Sequence, residues 1–271
     1  MHIIATSLCA ALFASVVSAH GAVTSYQIGG TTYPGFTGFS PAQSPPTIQR
    51  QWPDYNPIMN VGSSMMTCNG GTSAPLSAEI AAGDQITAFW SQWTHAQGPV
   101  MVWMFKCAGD FSSCSGSGNG WFKIDEKGLT APPLTSENWG TADVLNTLKW
   151  TATIPARLAP GNYLIRHELL ALHQANTPQF YPECAQLVVT GSGTETPSGE
   201  YLTPIPAYAS QNDPGIMVSL FFLRELAFSH IPRKTEQRYV LTISYRSIST
   251  MAAAPTTHVL APRFGVRRFM I

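Results

Sequence analysis

The chain has 271 residues, is 44% hydrophobic but only 11% charged, and balances 15 Lys and Arg against 15 Asp and Glu. The balance hides an asymmetry: residues 1–217 carry 7 basic and 13 acidic side chains, net −6, and residues 218–271 carry 8 and 2, net +6. The acidic body has no basic patch, which excludes nucleic acid as its partner.

The chain opens with a short apolar run, Ile3 to Val17, closing on Val17-Ser18-Ala19. Small residues at that spacing are what a signal peptidase cuts, although Met1-His2 lacks the usual Lys or Arg. The run is too short and too close to the start to span a bilayer. We read residues 1–19 as a cleaved signal, the protein as secreted and extracellular, and residues 20–217 as one domain. Cleavage after Ala19 exposes His20. An N-terminal histidine offers its α-amine and its ring Nδ1 together, a chelate that no internal histidine can form, and nitrogen ligands in a flat arrangement suit Cu(II).

Residues 23–28 alternate and predict a first strand, ended by Gly29-Gly30. Residues 31–66, rich in Pro, Gly, Tyr and Trp, lack periodicity and predict a long surface excursion. After the Ala82-Gly83-Asp84 turn, strands are predicted at 85–90, 99–106, 121–124, 148–154, 162–172 and 184–190, with a Gly/Ser loop at 108–120. Helical periodicity also fits 164–172, but the Pro160-Gly161 turn and the β-forming surroundings favour a strand. The expected fold is all-β: an antiparallel, immunoglobulin- or fibronectin-III-like two-sheet sandwich with long surface loops.

With Cys9 removed in the leader, Cys68, Cys107, Cys114 and Cys184 remain, an even number in an extracellular context. Three pairings are possible. A local Cys107–Cys114 staple is the simplest choice and leaves Cys68 with Cys184. The absence of a CxxC pair argues against zinc.

Three further residues matter through their positions. His95 lies in a loop just before the most apolar strand, where a surface histidine is the ordinary reading. His173 ends the strand 162–172, where a satisfied core histidine is ordinary. Tyr181 in Gln179-Phe180-Tyr181-Pro182-Glu183-Cys184 is readable as core filler beside a disulfide.

Taken in order, the start HGAVTSY, then THAQGPVMVWMFKC, APGNYLIRHELLALHQA and QFYPEC, resemble the fungal copper-dependent lytic polysaccharide monooxygenases of auxiliary activity family nine, formerly among the glycoside hydrolases. The resemblance runs from His20 to about Met217. One departure is that two residues separate His95 from Gly98-Pro99, where many relatives have one. The resemblance implies one copper per chain, held by the His20 amine and Nδ1 and by His95 Nε2, with Tyr181 in the axial position. It implies that His173 and Gln179 orient oxygen species and control protons through hydrogen bonds, and it matches the pairings Cys68–Cys184 and Cys107–Cys114. Tyr208 corresponds to a surface tyrosine of the family that stacks on sugar rings. Tyr33 and Phe36 are weaker substrate-binding candidates, with loop packing as the plain alternative.

The implied activity is oxidative cleavage of β-1,4 bonds in cellulose or related β-glucans at C1, C4 or both. It needs an external electron donor or redox partner protein and O2 or H2O2, and the expected state is a monomer without membrane association. The alternative is a non-catalytic secreted protein that binds copper or carbohydrate on the same fold. A hydrolase would need two facing carboxylates. Glu168 and Glu183 lie near the motifs, but Glu168 alternates in a strand and reads as structural.

After Met217 the pattern breaks and the charge changes sign. The basic end is neither a carbohydrate-binding module nor a lipid-anchor signal. Val218-Ser219 is encodable as a good splice-donor hexamer, and we read residues 218–271 as translated intron sequence. The rival is a real basic appendage. A spliced transcript retaining codons 218–271 unchanged would refute the intron reading.

Overall fold

The structure is a computed structural model and describes residues 20–216 except 39, 132, 134–136 and 214. The leader, Cys9 and the basic tail therefore lie outside the described residues. Gly29 and Gly30 both take positive φ, 54° and 87°. They turn strand β1 (Val23–Ile28) back into β2 (Thr31–Pro34). Short β3 (Ala78–Ala81) precedes β4 (Gln85–Trp90), whose alternate residues Ile86, Ala88 and Trp90 are buried. Then come β5 (Val100–Lys106), β6 (Asn119–Lys127), helix α1 (Gly140–Thr147) and β7 (Lys149–Thr153). Strands β8 (Gly161–Ala171), β9 (Gln179–Thr190) and β10 (Thr203–Pro204) complete the fold.

Four strands, in the order β2-β1-β4-β7, pack on six, in the order β10-β6-β5-β8-β9-β3. The all-β sandwich is as expected from the sequence. Among the strands of the described residues one pair, β3 with β9, is parallel, a departure from a wholly antiparallel arrangement. The seven predicted strands are present. The structure adds β2, β3, β10 and α1, and several boundaries move. β8 stops at Ala171, so His173 lies in the following loop, while β9 starts at Gln179, five residues before the prediction. β6 extends on both sides of 121–124.

Strands β8 and β9 are covered on both faces, so nearly every residue in them is buried, the polar ones included. Tyr163, Ile165, Leu169 and Ala171 face the other sheet, while Leu164 and Leu170 face a second cluster containing Ile58, Val61, Met66, Ile205 and Tyr208. The loop 58–71 is tied to β9 by the Cys68–Cys184 disulfide, and Cys107–Cys114 closes the smaller loop. Both bonds match the expected pairing.

The buried charges of β8 have partners close by. Arg166 and Glu168 are fully buried in β8 and paired at 2.5 Å. The Glu168 carboxylate also accepts from Trp103 Nε1 at 3.2 Å and from the Tyr208 hydroxyl at 2.9 Å. Glu168 is thus structural, as read.

His167 faces the opposite way, 5.7 Å from Tyr26 and 6.4 Å from Trp90 between ring centroids. Burial pushes its pKa down to about 3. In the unfolded chain the same ring takes a proton near the ordinary value of about 6.5. The neutral ring therefore favours the fold fully above that value, and the advantage is lost as pH falls towards 3. Relative to His167→Phe, the parent should lose roughly 2–3 kcal/mol between pH 7 and 4.5, read from urea unfolding at both pH values.

Candidate metal centre

The residues named in the sequence come together at one end of the sandwich, where β1 begins, β4 leads into β5, and β8 leads into β9. The first of them, His20, is held by its own backbone. Gln92 Nε2 donates to the His20 carbonyl. Gly21 lies so close to the Gln92 carbonyl that a Cβ would sit 1.8 Å from its oxygen.

The loop after β4 carries His95 and is pinned from several sides. Trp93, 3% exposed, donates its indole N–H to the His95 carbonyl at 2.6 Å. The Leu172 and Leu170 amides donate to Gln97 and Pro99, fastening the loop to the end of β8. Thr141 in α1 donates its hydroxyl to Ala96 and Gly98, each at 2.9 Å. Gly98 has a φ of 143°, and a Cβ there would fall 1.7 Å from the Leu170 oxygen. Gly98→Ala should therefore push the His95 loop off β8. We expect a loss of more than about 1 kcal/mol, together with weaker copper binding, both visible in thermal melts with and without the metal.

The His20 and His95 rings stand 6.0 Å apart between centroids. That is about the span of two imidazoles on opposite sides of one ion, with bonds of ~2 Å on each side. His95 Nε2 is buried without a hydrogen-bond partner. A buried ring nitrogen left in this way asks for a ligand. Burial, reinforced by His173 and His20, lowers the His95 pKa to about 4, so its ring is neutral near pH 7 and ready to bind a metal. Among the described residues no group of three His, Cys, Asp or Glu side chains is placed to hold an ion. A site here needs a nitrogen that is not a side chain, and a chain beginning at His20 would supply one as its α-amine. On these grounds the donor set fits copper.

Around the pair, Tyr181 lies 5.9 Å from the His20 ring and 6.5 Å from His95. Its hydroxyl donates to Gln179 Oε1 at 2.8 Å, two residues back along β9. Burial, and then the nearby Glu183, raise the Tyr181 pKa, so it remains a neutral phenol. The His173 ring stacks on His95 at 3.8 Å and is tilted by only 5°. Burial and the His20 charge lower its pKa too.

Trp93, not singled out from the sequence, meets both His95 (5.2 Å) and Tyr181 (4.9 Å) edge-on. Its place two residues before His95, in a loop otherwise polar, was the available signal. Gln92 was also missed.

The substrate-binding aromatics do not join this cluster. Tyr208 is 7% exposed, packed beside Trp103 with its hydroxyl given to Glu168. A tyrosine so used has no face to offer a solid substrate, and the expected surface role is corrected. Tyr33 stands opposite Tyr26 in the β1–β2 register and packs half-buried against the core. Phe36 meets Trp52 edge-on at 6.0 Å. Tyr33 is thus packed within β2 and Phe36 within the loop that follows it.

The profile of Auxiliary Activity family 9 (formerly GH61) matches residues 20–225, running past Met217. The AA9 family lytic polysaccharide monooxygenase D of Thermothelomyces thermophilus is 56% identical over 218 residues, covering 78% of this chain and 85% of the relative. The AA9 family lytic polysaccharide monooxygenase B of Heterobasidion irregulare is 46% identical over 215 residues, covering 78% and 88%. The crystal structure of a cellulose-active polysaccharide monooxygenase from M. thermophila superposes with a TM-score of 0.70 at 55% identity, covering 74% of this chain and 91% of that one.

Proposed function

The chain belongs to Auxiliary Activity family 9, and from that membership and the histidine geometry we propose a secreted copper monooxygenase that cleaves β-1,4-glucans oxidatively. The match beginning at residue 20 supports cleavage after Ala19 and a free His20. The single observation that carries the proposal is the buried, unpartnered Nε2 of His95 at the side of the His20 ring.

In this reading His20, through its amine and Nδ1, and His95, through Nε2, would hold one copper ion, with the Tyr181 phenol beside them. Bound copper supplies the one-electron chemistry with O2 or H2O2 that amino-acid side chains lack. The chain's own groups do the rest. The Trp93 hydrogen bond and the His173 stack fix the His95 ring. The Tyr181 hydroxyl is held by Gln179 and stays protonated, leaving the Gln179 amide nitrogen as a donor. His173 carries a ring nitrogen, Nδ1, that is buried without a partner and is suited to hold or pass a proton beside the site. Cellulose or a related β-glucan is the substrate, attacked at C1, C4 or both, with electrons from an external reductant or redox protein. The protein acts outside the cell as a monomer. Among the described residues no helix is long and apolar enough to cross a membrane.

The test is mass spectrometry of products after copper-loaded, correctly processed protein meets cellulose and ascorbate. Aldonic acids or 4-keto sugars are expected, and they identify the attacked carbon. Folded protein with copper bound and no oxidised product would favour a binding protein on the same fold.

A further inference from the structure

The register between β1 and β4 shifts between Val23 and Ser25. A bulge of this kind removes backbone groups from the ladder. Val23 is completely buried, so its N–H and C=O need partners elsewhere. Two side chains provide them. The Val23 carbonyl accepts from Gln49 Nε2 at 2.8 Å, and the Val23 N–H lies within reach of the Glu183 carboxyl, whose pKa it helps to hold down.

Both holders belong to the rigid frame. Glu183 lies in β9 opposite His167, and Gln49 bridges to Ala185. The other end of the Gln49 amide accepts from the Phe36 N–H at 2.6 Å. On the core-facing side of β9, Tyr181, Ala185, Leu187 and Val189 all belong to the sandwich core. Glu183, 2% exposed, interrupts them, and its Oε2 finds no partner. A half-satisfied carboxyl in an apolar layer is a net cost to folding, so its presence calls for a reason other than stability. The residue it holds is three positions from His20. The ends of domains stay poorly ordered unless tied down, and here the end carries two of the metal's nitrogens.

We propose that Glu183 and Gln49 are positioning residues of the copper centre, clamping both backbone groups of Val23 and thereby fixing the His20 amine and ring. The inference rests on the reading of His20 as a ligand.

The test uses the processed protein, its Glu183→Leu and Glu183→Gln variants, and Gln49→Leu. Each is read by copper affinity, by the Cu(II) electron paramagnetic resonance spectrum, and by hydrogen exchange of the Val23 amide without metal. Glu183→Leu should bind copper about 10–100-fold more weakly, as is typical when a ligand loses its supporting group. It should shift the spectrum and speed exchange at Val23 while the central strands stay protected. Glu183→Gln keeps an acceptor oxygen and should restore affinity to within about threefold of the parent. Folded Glu183→Leu with parental affinity and spectrum would overturn the proposal, as would Glu183→Gln as weak as Glu183→Leu. If Glu183→Leu does not fold, Gln49→Leu decides, with weakened binding expected and unchanged binding contradicting. A parent that binds no copper would overturn the ligand reading itself, a different failure.

Discussion

Protein that retains Ala19 ahead of His20 should fold normally yet bind copper more than about 100-fold more weakly than the processed form and release no oxidised sugar. The extra peptide bond turns the His20 amine into an amide, which no longer ligates. It removes one of three nitrogens and opens the chelate ring while leaving every strand intact. Loss of a ligand should exceed the ~10–100-fold cost of losing a group that only supports one. His95→Ala should match it, because the neutral Nε2 of His95 has no substitute nearby: His173 is stacked face to face on the same ring rather than pointed past it. Isothermal titration with copper, alongside circular dichroism to show an unchanged fold, checks both. Parental affinity in either would sink the ligand assignment.

Replacing Cys68 and Cys184 by Ser should cost about 5 kcal/mol if the chain-entropy account holds for a closed loop of this size. The cysteines are 116 residues apart in sequence, so the reduced unfolded chain gains much freedom. Stabilities of 5–15 kcal/mol are usual, and at ~2–4 °C per kcal/mol for a domain of this size the melting temperature should fall by roughly 10–20 °C. The damage should reach the metal centre. The disulfide holds the loop whose Met66 and Thr67 carbonyls accept from buried Arg166, and the same stretch of chain bridges Ile58 to Phe180 beside Tyr181. A double variant melting within about 3 °C of the parent would show that the loop is held by packing alone.

How far the sequence could be read depended on the range of the signal. Strands β1, β4, β5, β7 and β8 were legible within a residue or two because alternation, or an unbroken apolar run between turns, is local. The start of β9 was hidden by Pro182, which in a short run argues against a strand. β2, β3 and β10 are too short to show a period, and α1 packs only a few residues of its eight. Among the site residues, His20 stood out through its place behind the leader, and His95, His173, Gln179 and Tyr181 through ordered motifs. That His173 stacks on His95, and that Trp93 braces both His95 and Tyr181, are facts of tertiary packing. Tyr208 was misread for the same reason. Its surface role came from the family resemblance, and only the buried Glu168, forty residues away, explains why it turns inward.

The most direct test of the account is the Cu(II) electron paramagnetic resonance spectrum of processed protein loaded with one equivalent of copper. The account predicts one ion per chain, an axial spectrum with coupling from three nitrogens, and loss of that signal in His95→Ala. Copper that fails to bind stoichiometrically, or a spectrum that His95→Ala leaves unchanged, would contradict it.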